Sequence, residues 1–102
     1  MPLDFYSNQN KEEYFFSLTH KQLEIFEDIF VEFNKRTGLF LDECRDAILY
    51  TGNLQVLLKI IENYVQKTDL NKDKNKTMEI LSFYGLIRVY CNKNIELQVL
   101  GE

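Results

Sequence analysis

Residues 14–38 decide the fold, and they read YFFSLTHKQLEIFEDIFVEFNKRTG. Tyr14 to Leu18 have the length and aromatic content of a buried strand. Thr19 followed by Gln22 is typical of a capping box that opens a helix. Apolar side chains then recur at helical spacing, and they are Leu23, Ile25, Phe26, Ile29, Phe30 and Phe33. Gly38 can take the left-handed conformation that ends a helix, so the stretch predicts a strand followed directly by one amphipathic helix.

The rest of the chain adds shorter elements around this pair. Leu3 to Tyr6 form a short apolar start before a polar stretch. Further along, the pattern predicts a strand at 39–41 and then a short helix from Asp42 to about Tyr50, which Gly52 closes. A second helix at 54–66 follows, capped by Asn53. A solvated loop at 68–76 and a half-exposed strand at 95–99 complete the prediction.

Residues 78–91 allow two interpretations. Ile87, Val89 and Cys91 alternate as in a strand, and a hairpin through 92–94 would suit them. Thr77 could instead cap a mostly buried helix, with Leu81, Tyr84, Ile87, Arg88 and Cys91 along one side. The helix is preferred because the window is too long for an ordinary strand, and Gly85 would then mark close packing.

These elements predict an α/β or α+β fold, in which a small sheet of two to four strands packs against three or four helices. With 102 residues the chain is long enough for a single globular domain, residues 1–102, and too short for two. Hydrophobic residues make up 45% of it, including eight Phe and six Tyr, which supplies a core.

Composition also bounds the location. The chain has no apolar run of about 18 residues or more, so we expect no transmembrane helix and no membrane partner. The N-terminal residues lack the basic and apolar regions of a signal peptide. Cys44 and Cys91 belong to no Cys/His cluster and predict free, buried thiols in a reducing cytoplasm; a reducible disulfide or a reactive thiol is the alternative.

Candidates for catalysis are few. His20 is the single histidine, and we expect it to lie on the surface in the first turn of a helix. A catalytic Cys–His pair would need Cys44 or Cys91 to approach it in three dimensions. The four glycines stand apart, so no phosphate-binding loop is present and no cofactor is expected. Residues 41–61 could imitate a helix-turn-helix, but the second helix would offer only Lys59 as a cation, which argues against nucleic-acid binding.

Acidic residues provide the functional clue. Residues 1–58 contain ten acids and five bases, whereas residues 59–102 contain six acids and seven bases. Glu24, Asp28 and Glu32 lie opposite the apolar face of the first helix, with Glu27 nearby. Asp42, Glu43 and Asp46 form a second cluster, and Tyr50 could supply an aromatic anchor. These residues can equally be a solvated face and helix caps, but as a site they would bind a basic protein.

The chain resembles the immunity proteins of bacterial polymorphic-toxin and contact-dependent growth-inhibition systems. Three segments carry the resemblance: residues 14–19 leading into the helix, residues 37–42 leading to Asp46, and the closing residues 95–102. The family pattern has a strand running into Asp-x-Tyr-x-Asp and a final Gly-acid pair. Asp42 and Asp46 match its two acids, Cys44 stands in place of the aromatic residue, and Glu102 in place of Asp.

The resemblance implies a non-enzymatic, cytoplasmic inhibitor that binds a cognate toxin domain one-to-one and needs no cofactor. With the acidic clusters, it predicts a toxin with a cationic, nuclease-type surface. The alternative is another protein-binding module, such as an adaptor or a regulatory subunit.

Overall fold

The computed structural model describes residues 3–69 and 71–101, and it has an α+β fold. The elements, in chain order, are β1 (Leu3–Ser7), β2 (Tyr14–Leu18), α1 (His20–Ile25), α2 (Glu27–Thr37), β3 (Ala47–Leu49), α3 (Thr51–Lys67), α4 (Lys74–Asn92) and β4 (Leu97–Leu100). The four strands form one antiparallel sheet in the order β2-β1-β4-β3. The α+β class is confirmed, with strand and helix numbers within the predicted two to four strands and three or four helices among the described residues.

The first and last strands, β1 and β4, pair at the centre of the sheet. β1 pairs with both β2 and β4, so that Phe5 lies opposite Phe16 on one side and Val99 on the other. The prediction of a half-exposed last strand is wrong: β4 begins at Leu97 and is almost fully buried, because it lies between β1 and β3.

The capping box and the helix stop are confirmed. The Thr19 hydroxyl accepts from the Gln22 amide (3.2 Å), and the Gln22 side chain accepts from the Thr19 amide (2.8 Å). Gly38 has φ 78° and ends α2. The single predicted helix is interrupted at Phe26, whose backbone leaves helical geometry while its ring stays in the core.

Residues 39–53 differ most from prediction. The strand at 39–41 and the helix at 42–50 are wrong, because this segment forms a loop that leads into β3. The Asp42 carboxylate accepts from the Cys44 amide at 2.9 Å and closes a tight turn where it was expected to open a helix. α3 starts at Thr51, and Asn53, in its first turn, accepts from the Tyr50 amide, so neither Gly52 nor Asn53 lies at a helix boundary.

Residues 78–91 are helical, which confirms the preferred interpretation. The helix starts earlier than predicted, because Asp73 caps it through the Lys76 amide at 3.0 Å. Its buried side is also rotated from the predicted one, since Leu81 and Arg88 face solvent. The residues that point into the core are Ile80, Phe83, Ile87 and Cys91.

Aromatic rings from the helices and the sheet meet at Phe83 in the core. Its ring stacks on Phe26 at 4.9 Å between centroids and meets Phe5, Phe16 and Phe30 edge-on. Of the two thiols, Cys91 is buried as predicted, whereas Cys44 is exposed on the loop. No described helix combines the length and the apolar character needed to cross a bilayer.

Candidate protein-binding site

His20 joins the two predicted acidic clusters. Its Nδ1 lies 2.5 Å from the Glu43 carboxylate on the loop, and its Nε2 lies 3.1 Å from the Glu24 carboxylate one helical turn away. An imidazole donates from both nitrogens only when it is protonated. Through these two contacts the ring links the start of α1 to the 42–46 loop.

This contact changes the acidity of Glu43. The hydrogen bond from His20 is the largest of the effects that hold the pKa of Glu43 below its ordinary value of 4.5. The side chain is 29% exposed, and its carboxylate stays ionised at neutral pH, so the loop presents a negative charge beside that of Glu24.

An apolar hollow of about 300 Å³ lies between α1–α2 and the loop. We call it the acid-rimmed hollow, and its lining residues are Leu23, Glu27, Phe30, Val31, Asn34, Phe40, Leu41 and Asp42. Val31 and Phe40 are 49% and 44% exposed, which leaves two large apolar side chains open to solvent beside the Glu27 and Asp42 carboxylates. A hollow of this kind can take an apolar side chain that has a cationic neighbour.

One cation of the chain already lies at this site. The Arg45 guanidinium sits 3.7 Å from the centroid of the Phe40 ring and 3.7 Å from the Asp42 carboxylate. An aromatic face beside a carboxylate is a favourable environment for a guanidinium. The Phe40 ring face and the Asp42 carboxylate are therefore already in contact with a cation of this chain.

Asp46 has a structural role that the sequence does not reveal. Its carboxylate accepts from the Gly101 amide at 3.0 Å and so ties the loop to the end of β4. A Cβ at Gly101 would lie 2.7–2.8 Å from backbone atoms of Arg45 and Glu43, so the two chain segments can approach this closely only with glycine there. Glu102, which the resemblance pairs with Gly101, lies outside the described residues.

The remaining predicted residues lie elsewhere. Asp28 and Glu32 line a separate groove between α2 and α3, where Arg36 and Lys67 add positive charge. Glu32 is paired with Arg36 at 2.9 Å. Tyr50 is exposed at the start of α3 and does not line the hollow. The structure thus joins Glu24, Glu43 and Asp42 into one region and separates Asp28, Glu32 and Tyr50 from it.

Three contributors to the site were not recognised from sequence. His20 was assigned to a helix start, although its i,i+4 spacing from Glu24 indicates a pair. Phe40 was placed in a strand, and Val31 was not singled out. Nothing in the local pattern says that these two apolar side chains stay exposed, because that depends on how the loop folds back on α2.

Both ring nitrogens of His20 face carboxylates, and neither faces a thiol. Residues 3–69 and 71–101 contain no group of three or more His, Cys, Asp or Glu that could hold a metal ion.

Comparisons of the chain with protein-family models, curated proteins and solved structures find no significant match.

Proposed function

We propose that the protein is an immunity protein, which binds a cognate bacterial toxin domain one-to-one in the cytoplasm and neutralises it through the acid-rimmed hollow. The observation that carries the proposal is the pair of exposed apolar side chains, Val31 and Phe40, beside the carboxylates of Glu27 and Asp42. Binding energy at protein interfaces concentrates in such apolar anchors, and surrounding charges select the partner.

The charge distribution supports a basic partner. Glu24 and Glu43, which both contact His20, are the chain neighbours of Leu23 and Asp42 in the lining of the hollow and add negative charge near it. A toxin that acts on nucleic acid carries a cationic surface, because phosphate contacts dominate its affinity for substrate. Occupation of that surface by the carboxylates of this protein would exclude the nucleic acid.

Co-expression tests the proposal. The toxin is sought as the C-terminal domain of a large secreted protein encoded directly upstream, and cells that produce it are grown with and without this protein. We expect survival only with the protein present. Equal death rates would remove the immunity function, and a pull-down that returns a housekeeping protein would favour the adaptor alternative.

A matched pair of variants locates the site. Phe40→Ala removes an exposed aromatic anchor from the hollow, whereas Tyr14→Ala removes a similarly exposed ring that contacts Tyr6 and Ser17 on the sheet. We expect Phe40→Ala to weaken toxin binding by about 2 kcal/mol, a typical hot-spot loss. Tyr14→Ala should bind like the unaltered protein. Toxin binding by Phe40→Ala that is as tight as that by Tyr14→Ala would place the interface elsewhere.

A further inference from the structure

Helix α4 carries apolar residues on its solvent side as well as on its core side. We call the solvent side the outer stripe, and its residues are Met78, Leu81, Gly85, Leu86 and Val89. Met78 is 66% exposed, and Leu81 and Val89 are 46% and 47% exposed. A helix that is apolar on both sides is typical of one buried from both sides, and no other described element covers this one.

Gly85 lies at the centre of the outer stripe without a role inside the chain. A Cβ there would meet nothing within 4 Å, and its φ is not positive, so the expectation of close packing against another part of the chain is wrong. Glycine is among the weakest helix formers. A glycine with open space around it, flanked by exposed apolar residues, allows the backbone of a second helix to come close.

We propose that the outer stripe binds a second copy of this chain, with the two α4 helices antiparallel and crossing at Gly85. A two-fold dimer needs a surface that is complementary to itself. Leu81 and Val89 stand four residues before and four residues after Gly85, so two antiparallel stripes bring each Leu81 to the height of Val89 of the second copy.

The charges beside the outer stripe favour a second copy of this chain as the partner, and they favour the antiparallel orientation of the two α4 helices. Glu79 and Lys93, the residue that follows the last turn of α4, lie on the same flank of the stripe, about 40° apart around the helix at about 100° per residue. The Glu79 carboxylate is partly buried and accepts from the Gln22 side chain of α1 at 2.8 Å, which leaves its charge and its other acceptor positions for Lys93 of the second copy. They stand six residues before and eight residues after Gly85, so in the antiparallel pair each Glu79 lies within about 3 Å, in axial rise, of Lys93 of the second copy. The two-fold axis makes this pairing twice, whereas in a parallel pair Glu79 and Lys93 of the two copies would lie fourteen residues apart along the axis and could not meet.

Sedimentation equilibrium from about 10 to about 500 μM tests the proposal, because a small interface of this kind dissociates in the micromolar range or above. We expect a monomer–dimer equilibrium. Leu81→Glu combined with Val89→Glu should leave only monomer, while Val31→Glu, an equally exposed site in the acid-rimmed hollow, should leave the dimer intact. Circular dichroism establishes that each variant is folded.

Two further variants separate this pairing from general apolar association. Gly85→Leu adds apolar surface in open space but blocks the crossing, so dimerisation should weaken at least about tenfold, or about 1.4 kcal/mol. Lys93→Glu should weaken it too, and adding Glu79→Lys should restore it.

A monomer at every concentration would overturn the proposal, as would a dimer that survives the double glutamate variant or a charge reversal that restores nothing. The outer stripe and the acid-rimmed hollow share no residue, so toxin neutralisation by a monomeric variant leaves the proposed function standing.

Discussion

The two walls of the acid-rimmed hollow are held in place by different forces. On one side, α1 and α2 are anchored in the core by Phe26, Ile29 and Phe33, each at most 1% exposed. On the other side, the 39–46 loop buries only Leu41 and is positioned largely by polar contacts, from Asp46 to Gly101 and from Glu43 to His20. The first wall therefore depends on apolar burial, and the second depends on a few contacts near the surface.

The largest expected effect comes from the apolar wall. Phe26→Ala removes a ring that stacks on Phe83 at 4.9 Å in the core. We expect the free energy of unfolding to fall by about 3–5 kcal/mol, the usual loss for a buried phenylalanine. Urea denaturation measures it, and a loss below about 1 kcal/mol would show that this wall is not anchored by burial.

Within the loop wall, we expect the largest loss of stability from a substitution of Gly101, which the loop packs against. Gly101→Ala places a Cβ against the backbone of Arg45 and Glu43, so the loop must shift, and we expect a loss of about 1–3 kcal/mol. Gly52→Ala is the matched control, because a Cβ there meets nothing, and helix propensity should make that variant more stable by up to about 1 kcal/mol. Similar urea midpoints for the two variants would contradict the close approach.

The difference between the two walls of the hollow also explains which parts of the structure the sequence could predict. Residues 14–38 were predicted well, apart from the break at Phe26, because their signals are local: a capping box, apolar residues at helical spacing and a glycine that ends α2. Residues 39–53 were predicted wrongly because their conformation depends on distant partners, namely β4 beside β3 and Gly101 beside Arg45. The acidic residues of the site were visible in the sequence, whereas the hollow between them exists only in the folded chain.

A smaller effect on stability is expected at the exposed floor of the hollow. Phe40→Ala removes a ring that is 44% exposed, together with its contact with Arg45. The free energy of unfolding should therefore change by about 1 kcal/mol or less. Thermal unfolding followed by circular dichroism measures it. A loss like that of Phe26→Ala would mean that Phe40 belongs to the core.

The contact between His20 and Glu43 predicts the smallest effect, which depends on pH. The pKa of Glu43 is lowered in the folded protein, so its contribution to stability is present above pH 4.5 and is lost as the pH falls through the lower, folded pKa. Urea unfolding at several pH values should show a difference between the unaltered protein and His20→Ala above pH 4.5 that shrinks as the pH falls through the folded pKa of Glu43. Glu43→Gln should abolish this pH dependence, and a difference that grows on acidification would contradict the sign.

The most direct measurement is the association rate of the toxin domain with Glu27→Lys and Asp28→Lys at several salt concentrations. The two substitutions are neighbours in the first turn of α2 and change charge equally, but only Glu27 lines the hollow. We expect Glu27→Lys to slow association about tenfold at low salt and Asp28→Lys to change it much less, with both rates converging as salt screens the charges. Equal rates for the two variants, unaffected by salt, would contradict binding through the acid-rimmed hollow.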